Sequence, residues 1–284
     1  MNLRELVSAA GSSLTTSPHP ERSRQDAEAL LLHLLRRDRA WLLAHWDEEA
    51  SPENEADYNA AVARRFSGEP LQYITGQSEF FGLPFSVGPG VLIPRPETEH
   101  LVEEMLRLAA HFFGPEIQIA DIGTGSGIIA VALAKALPYS RIAAVDCSPH
   151  ALTLARENAQ RHQVAGRIAF LEGDLLTPLA GQHFHILASN PPYIPLADRD
   201  SLSVEVRDYE PHQALFAGDD GLAIYHRLIP GAHEYLIPHG WLVLEIGYGQ
   251  QPAIEQLLRS SGYSDVRFVP DYQGIPRVAV ARGL

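Results

Sequence analysis

Apolar and polar positions along this chain change rhythm twice, and the changes divide it into three stretches. Over residues 1–75 the apolar residues gather in helix-length runs. Ala27-Glu28-Ala29-Leu30-Leu31-Leu32-His33-Leu34-Leu35 follows Ser23 and Asp26, side chains suited to starting a helix, and Asp57 to Phe66 has the same character. A small N-terminal helical domain is expected there. Over residues 76–97, Gly76, Gly82, Pro84, Gly88, Pro89, Gly90, Pro94 and Pro96 interrupt the runs. They leave short β-like pieces, Phe85-Ser86-Val87 and Val91-Leu92-Ile93, so a connector with a β-hairpin is expected.

From residue 98 to residue 284 helix-length and strand-length apolar segments alternate. Helices are predicted at Thr98 to Phe113, Ile128 to Leu137, Ala151 to Gln163, Leu222 to Leu236 and Pro252 to Ser260. Strands are predicted at Ile117 to Ile122, Arg141 to Asp146, Arg167 to Glu172, His185 to Ser189 and Gly240 to Ile246. Two more, Ser264 to Val269 and Arg277 to Ala281, read as an antiparallel pair joined through Asp271-Tyr272-Gln273-Gly274. Such alternation implies an α/β fold: a seven-stranded sheet, mostly parallel with a C-terminal antiparallel strand, covered by helices on both faces.

Composition narrows the class. A length of 284 residues with 45% hydrophobic content suits one α/β domain plus a smaller module. No apolar run reaches the roughly 20 residues of a membrane span, and the start Met1-Asn2-Leu3-Arg4-Glu5 lacks a signal-peptide pattern, so a cytoplasmic protein is expected. The single cysteine, Cys147, excludes an intramolecular disulfide and reads as a small apolar filler at a strand end. The 13 histidines show no metal-ligand spacing, and no metal is expected. A net charge of −13 weighs against a nucleic-acid substrate held through its phosphates. Arginines do cluster at Arg36, Arg37 and Arg39 and at Arg64 and Arg65, as solvated helix faces or as a docking surface for an acidic or RNA-associated protein partner.

The candidate chemistry lies at predicted strand ends. Asp121-Ile122-Gly123-Thr124-Gly125-Ser126-Gly127 is a glycine-rich strand-to-helix turn, which lets a ligand approach the backbone. It is opened by an acid and its spacing differs from the dinucleotide fingerprint, so it suits a cofactor that carries positive charge and no phosphate. Asp146, ending the second strand, is placed to accept ribose hydroxyls, and Asp174, beyond the third, to meet an adenine amino group. Asn190-Pro191-Pro192-Tyr193 follows the fourth strand. Its prolines remove two N–H donors and fix φ, leaving carbonyl oxygens and the Asn190 amide as acceptors for an N–H group. Together the two sites suggest methyl transfer from S-adenosylmethionine to nitrogen.

These residues resemble the class I S-adenosylmethionine-dependent methyltransferases, with their Rossmann-like sheet, and within them the release factor glutamine N(5)-methyltransferases of the HemK/PrmC type. The resemblance runs nearly end to end. Besides the two turns it includes Gly68-Glu69-Pro70-Leu71-Gln72-Tyr73, Val91-Leu92-Ile93-Pro94-Arg95-Pro96-Glu97-Thr98-Glu99 and Val206-Arg207-Asp208-Tyr209-Glu210-Pro211. The Asn-Pro-Pro-Tyr turn is shared with enzymes that methylate exocyclic base amines, whereas the Pro-Glu-Thr-Glu run is more specific. Leu175 stands where some relatives carry an aromatic residue near the adenine.

The resemblance implies S-adenosylmethionine bound by Asp121, Gly123, Thr124, Gly125, Ser126, Gly127, Asp146, Asp174, Leu175 and Asn190. It implies a protein glutamine, in the Gly-Gly-Gln motif of class 1 peptide chain release factors, held by Asn190, Pro191, Pro192 and Tyr193. An amide nitrogen is a poor nucleophile, so Asn190 and the Pro191 carbonyl are expected to orient it by accepting its hydrogens, with Tyr193 packing on the flat amide. Residues 90–99 are expected to fold over the cofactor mouth, with Arg95 and Glu97 as candidate organisers, or to serve as a purely structural hinge. The expected partners are release factors, with no membrane and no direct nucleic-acid substrate, on a chain that works as a monomer. A ribosomal-protein glutamine methyltransferase, a nucleic-acid amine methyltransferase and a non-catalytic cofactor-binding protein are the alternatives at this point.

Overall fold

The computed structural model describes residues 1–112, 114 and 116–283. By its internal contacts the chain forms two compact units, one of residues 1–77 with 201–210, the other of residues 78–200 with 211–284.

The first unit is helical. Helix α1 (Leu3–Leu14) starts in a reciprocal cap: Asn2 Oδ1 accepts the Glu5 N–H at 2.8 Å and Glu5 Oε2 accepts the Asn2 N–H at 3.1 Å. Then come α2 (Ser23–Leu35), α3 (Arg39–Ala44), α4 (Pro52–Phe66) and α5 (Leu71–Thr75). Their apolar stripes meet in one core that includes Leu6, Leu14, Leu30, Leu31, Leu42 and Tyr58. Asp26 lies inside α2 and is no cap. It is buried, and its Oδ2 accepts the Nε–H of Arg65 at 2.7 Å. Arg65 is therefore not a surface charge as its sequence cluster suggested; it also pairs with Glu205 and donates to the Glu69 carbonyl at 2.9 Å. Three more of the cluster arginines are engaged: Arg64 with Glu69, Arg39 with Glu28, and Arg37 over the Trp41 ring. Residues 205–209 form a π-turn of this same unit, supplying Glu205 to the buried arginine.

A two-stranded sheet follows, β1 (Gln77–Phe80) and β2 (Leu83–Ser86). The second strand thus overlaps the Phe85-Ser86-Val87 piece picked from the sequence, its partner lies upstream at Gln77–Phe80, and Val91 to Ile93 form no strand. Phe81 and Gly82, at φ 52° and 68°, make the tight left-handed turn that sets this pairing. The later Gly88, Pro89, Gly90 and Pro94 supply no comparable ladder.

The second unit carries α6 (Thr98–Ala109), β3 (Ile117–Ile122), α7 (Ile128–Ala136), β4 (Ser140–Asp146), α8 (Pro149–Arg161), β5 (Ile168–Glu172) and β6 (Phe184–Ser189). It continues through α9 (His212–Leu215), α10 (Ala223–Ala232), β7 (Leu236–Glu245), α11 (Gln251–Ser260), β8 (Ser264–Pro270) and β9 (Pro276–Arg282). Helix α6 ends at Ala109; Phe113, where the sequence suggested its end, lies outside the described residues, as do Pro115 and Leu284. The seven strands run β5-β4-β3-β6-β7-β9-β8, parallel except for β9, which is antiparallel to both β7 and β8. The expected α/β class, strand number and antiparallel C-terminal strand are all present.

Side chains alternate across this sheet into two apolar layers. Ile119, Ile142, Ala144 and Ile186 pack with α6 and α7 on one side, while Ala120, Ala143, Val145 and Leu187 pack with α10 and α11 on the other. Strand β7 starts four residues before its predicted Gly240. The predicted helix from Leu222 is correspondingly shorter, ending at Ala232 with Pro230 in its last turn. Because β4 and β5 lie to one side of β3 and β6 to the other, the chain reverses its direction of travel between β3 and β6. Ligands in open α/β sheets bind in the crevice at the carboxyl ends of the strands beside such a reversal.

Candidate active site

The carboxyl ends of β3, β4, β5 and β6 carry the chemistry. Beyond β3 the backbone turns left-handed at Gly123, Gly125 and Gly127, with φ of 74°, 56° and 82°. A Cβ at Gly123 or Gly125 would meet no protein atom within 4 Å, and both residues line a cavity of about 390 Å³, so side chains there would occupy its space. Gly127 is needed for packing, since its Cβ would sit 3.0–3.2 Å from Ala155 on α8. Asp146 at the end of β4 braces the turn: its Oδ2 accepts the Gly125 N–H at 2.8 Å and its Oδ1 the Ser148 N–H at 2.9 Å.

The cavity belongs wholly to the second unit. Of the residues named from the sequence it is lined by Gly123, Gly125, Asp146, Asp174, Leu175, Asn190, Pro191 and Pro192. Asp174 is exposed there and pairs with Arg227. Leu175 takes φ 50°, a left-handed conformation that is strained for a side chain of its size. Gly90, Val91 and Leu92 also line the cavity, whereas Arg95 and Glu97 do not. Nor do Asp121, Thr124, Ser126, Gly127 and Tyr193.

Asp121, Thr124 and Ser126 are buried beneath the turn. The Thr124 hydroxyl donates to Asp121 Oδ2 at 2.6 Å, and the Ser126 carbonyl accepts from Asn158 Nδ2 at 2.9 Å. Burial pushes the Asp121 carboxyl up to about 7, against the Thr124 hydroxyl and the Ala130 N–H, which favour its charge. Its Oδ1 has no hydrogen-bond partner among the described residues.

The Asn190-Pro191-Pro192-Tyr193 turn leaves β6 between two supports. On one side Asn190 Nδ2 donates to Thr98 Oγ1, at the start of α6, at 3.0 Å. On the other the Tyr193 hydroxyl donates to Glu245 Oε1, the last residue of β7, at 3.3 Å. Gln250 clasps the backbone, donating to the Tyr193 carbonyl at 3.0 Å and accepting the Gly247 N–H at 2.9 Å. Gly221, φ 75°, allows this approach, because a Cβ there would lie 2.2 Å from the Tyr193 carbonyl oxygen. Tyr193 thus anchors the turn from behind. Beside it, residues 211–217 run along the turn through hydrogen bonds of Ile194 N to the Leu215 carbonyl and Ala217 N to the Ile194 carbonyl, at 2.9 and 3.0 Å. They bring Gln213 and Phe216 to the cavity, where Gln213 Nε2 donates to Cys147 Sγ at 2.7 Å. Cys147 is therefore an exposed cavity residue and no apolar filler.

Comparison with known proteins agrees with this layout. Residues 5–76 match the family model described as the PrmC N-terminal domain, and residues 98–204 match the methyltransferase small domain. A release factor glutamine methyltransferase of Geobacter sulfurreducens is 47% identical over 262 residues, covering 92% of this chain and 90% of that protein. One from Koribacter versatilis is 42% identical over 283 residues, 99% of each chain. The chain belongs to the release factor glutamine methyltransferase family. A methyltransferase structure from Pyrococcus furiosus, 18% identical with a TM-score of 0.53 over 82% of this chain and 100% of that one, shares the fold.

As a member of the release factor glutamine methyltransferase family the protein is an enzyme, and several of its cavity and support residues carry no motif signal of their own. Thr98 sits beside the Arg95 and Glu97 that attracted attention. Glu245 was readable as a lone acid ending the apolar run Leu242-Val243-Leu244. For Gln250, Gln213 and Arg227 the sequence offers nothing comparable. Among the described residues no helix is long and apolar enough to cross a membrane.

Proposed function

We propose that this enzyme methylates the side-chain amide nitrogen N(5) of the glutamine in the Gly-Gly-Gln motif of class 1 peptide chain release factors, with S-adenosylmethionine as donor. The names of the 47% and 42% identical relatives support the substrate class. One observation carries the chemistry: Asn190 gives its amide nitrogen to Thr98, so its oxygen is the group left for the cavity. Together with the Pro191 carbonyl, which accepts no hydrogen bond among the described residues, it forms a pair of acceptors suited to a primary amide N–H₂.

The cavity suits the donor. Its acids, Asp146 and Asp174, match ribose hydroxyls and an adenine amino group, and a carboxylate has about four lone-pair sites, so Asp146 retains acceptor capacity beyond its two backbone N–H bonds. Leu175 supplies apolar contact for the base, and the bare backbone of Gly123 and Gly125 gives the room. S-adenosylmethionine, when bound, would supply an electrophilic methyl: the S–CH₃ bond breaks with its electron pair kept by sulfur as a neutral thioether, so no general acid is required, and the amide nitrogen that gains the methyl gives up one N–H proton to water. The protein's part is to hold the amide with its nitrogen turned toward the cavity and to exclude water. A protein that modifies release factors works in the cytoplasm, and we take the monomer as the working unit.

The test is incubation with labelled S-adenosylmethionine and an unmethylated class 1 release factor, followed by peptide mass spectrometry. A single methyl on the Gly-Gly-Gln glutamine is expected. Donor binding without transfer to the release factor overturns the substrate assignment, and methylation of ribosomal RNA in its place would favour an exocyclic-amine acceptor.

A further inference from the structure

A carboxamide has two nearly isosteric orientations related by a half-turn, and only one presents its oxygen to an incoming N–H. The partner behind it decides. Thr98 is fully buried and accepts from Asn190 Nδ2 at 3.0 Å. A hydroxyl has one proton and can also accept, so Thr98 holds Asn190 in this orientation only while its own proton is donated elsewhere. Glu245 is the recipient at hand. It is 1% exposed and takes the Tyr193 hydroxyl on Oε1 at 3.3 Å; its buried Oε2 has no hydrogen-bond partner among the described residues and is the open acceptor for the nearby Thr98 hydroxyl, which favours the charged form.

We propose that Glu245 is a positioning residue for transfer: by drawing the Thr98 proton it fixes the Asn190 amide oxygen toward the acceptor, and by holding Tyr193 it fixes the far end of the same turn. This rests on the reading of the site given above. With Glu245 neutral and donating, Thr98 is free to donate to Asn190 Oδ1. The amide then reverses and presents N–H₂ to a substrate that is itself a donor. The groups that bear on Glu245 are Thr98 and Glu97 at the start of α6, Tyr193 on the turn, and Arg277 on β9. Tyr225 on α10 donates its hydroxyl to the Glu245 carbonyl at 2.7 Å. Arg277 opposes and Glu97 reinforces the burial that pushes the Glu245 carboxyl up to about 7.

The experiment compares wild type, Thr98→Val, Thr98→Ser and Glu245→Gln in the full chain, reading kcat and KM for an unmethylated release factor, S-adenosylmethionine affinity by calorimetry, and kcat against pH. Thr98→Val is expected to lower kcat by about tenfold or more with donor affinity within about twofold of wild type, and Thr98→Ser to restore most of the rate. Wild-type kcat should fall as pH drops below about 7, and Glu245→Gln should have a low kcat whose acid limb is flat. Wild-type kcat in Thr98→Val, failure of serine to rescue, or an unchanged acid limb in Glu245→Gln overturns the proposal. Should Glu245→Gln not fold, the valine and serine pair still decides. Absence of transfer by wild type would instead count against the release-factor reading.

Discussion

Asp146 Oδ2 accepts the backbone N–H of Gly125 at 2.8 Å, so the end of β4 holds the glycine turn that leaves β3. One carboxylate thereby shapes the turn and borders the cavity. Asp146→Ala leaves the Gly125 and Ser148 N–H groups without their acceptor, a loss of about 1–3 kcal/mol for each if it stays unsolvated. S-adenosylmethionine affinity should fall by at least about tenfold in calorimetry, with a lower melting temperature. Asp146→Asn, which keeps one acceptor oxygen, should recover more of the melting temperature than of the affinity.

Asn190→Ala removes the proposed acceptor and leaves the turn's prolines in place. It should keep donor affinity within a few fold and lower transfer by more than about tenfold, which is ~1.4 kcal/mol of transition-state stabilisation. Single-turnover transfer to a release factor measures this, and a near-normal rate would remove Asn190 from the mechanism.

Gly221→Ala tests the packing behind the same turn. A Cβ 2.2 Å from the Tyr193 carbonyl oxygen, at φ 75°, forces the backbone apart. Both the melting temperature and kcat should fall, whereas Gly82→Ala, also at positive φ but with open space around it, should lower the melting temperature alone.

In the helical unit Arg65 and Asp26 are each 2% exposed at the side chain and 2.7 Å apart. Removing one partner strands a buried charge. Arg65→Met should cost about 3–5 kcal/mol in denaturant unfolding, and the double variant Arg65→Met with Asp26→Leu should regain much of it.

Burial raises Asp121 and Glu245 from ordinary values of 3.8 and 4.5 to about 7. The folded chain therefore keeps protons that the unfolded chain has released. The contribution of each to stability is complete below its ordinary value and is lost as pH rises through about 7. Asp121→Asn, which cannot ionise, should show a smaller drop in melting temperature between about pH 5 and pH 8 than wild type. An identical drop would mean that Asp121 does not titrate in this range.

Much of the second unit was legible because its strands are short apolar runs bounded by Gly and Asp: Ile117–Ile122 is found as expected, and β4 and β6 differ from prediction by one residue at one end. The hairpin was placed too late because its turn, Phe81-Gly82, lacks the Asn-Gly or Pro signature that marks such turns. The cavity-lining residues Gly123, Gly125, Asp146, Asp174 and Asn190 announce themselves through motif and strand-end position. Thr98 stands in the Pro-Glu-Thr-Glu run, which does not tell its role, and Glu245 and Gln250 stand in no motif. They act through hydrogen bonds between distant positions, 92 residues apart for Thr98 and Asn190, and no local pattern encodes such a partner. Arg65 misled for the related reason that a charge pair formed across 39 residues looks, locally, like a solvated helix face.

The π-turn at 205–209 has a consequence for synthesis on the ribosome. Glu205, which pairs with the buried Arg65, is encoded after Asn190 and four strands of the large sheet. A nascent chain that has reached only Gln77 holds every helix of the first unit yet lacks one of the two acids that pair with its buried arginine. The first part of the protein to emerge is thus among the last to be completed.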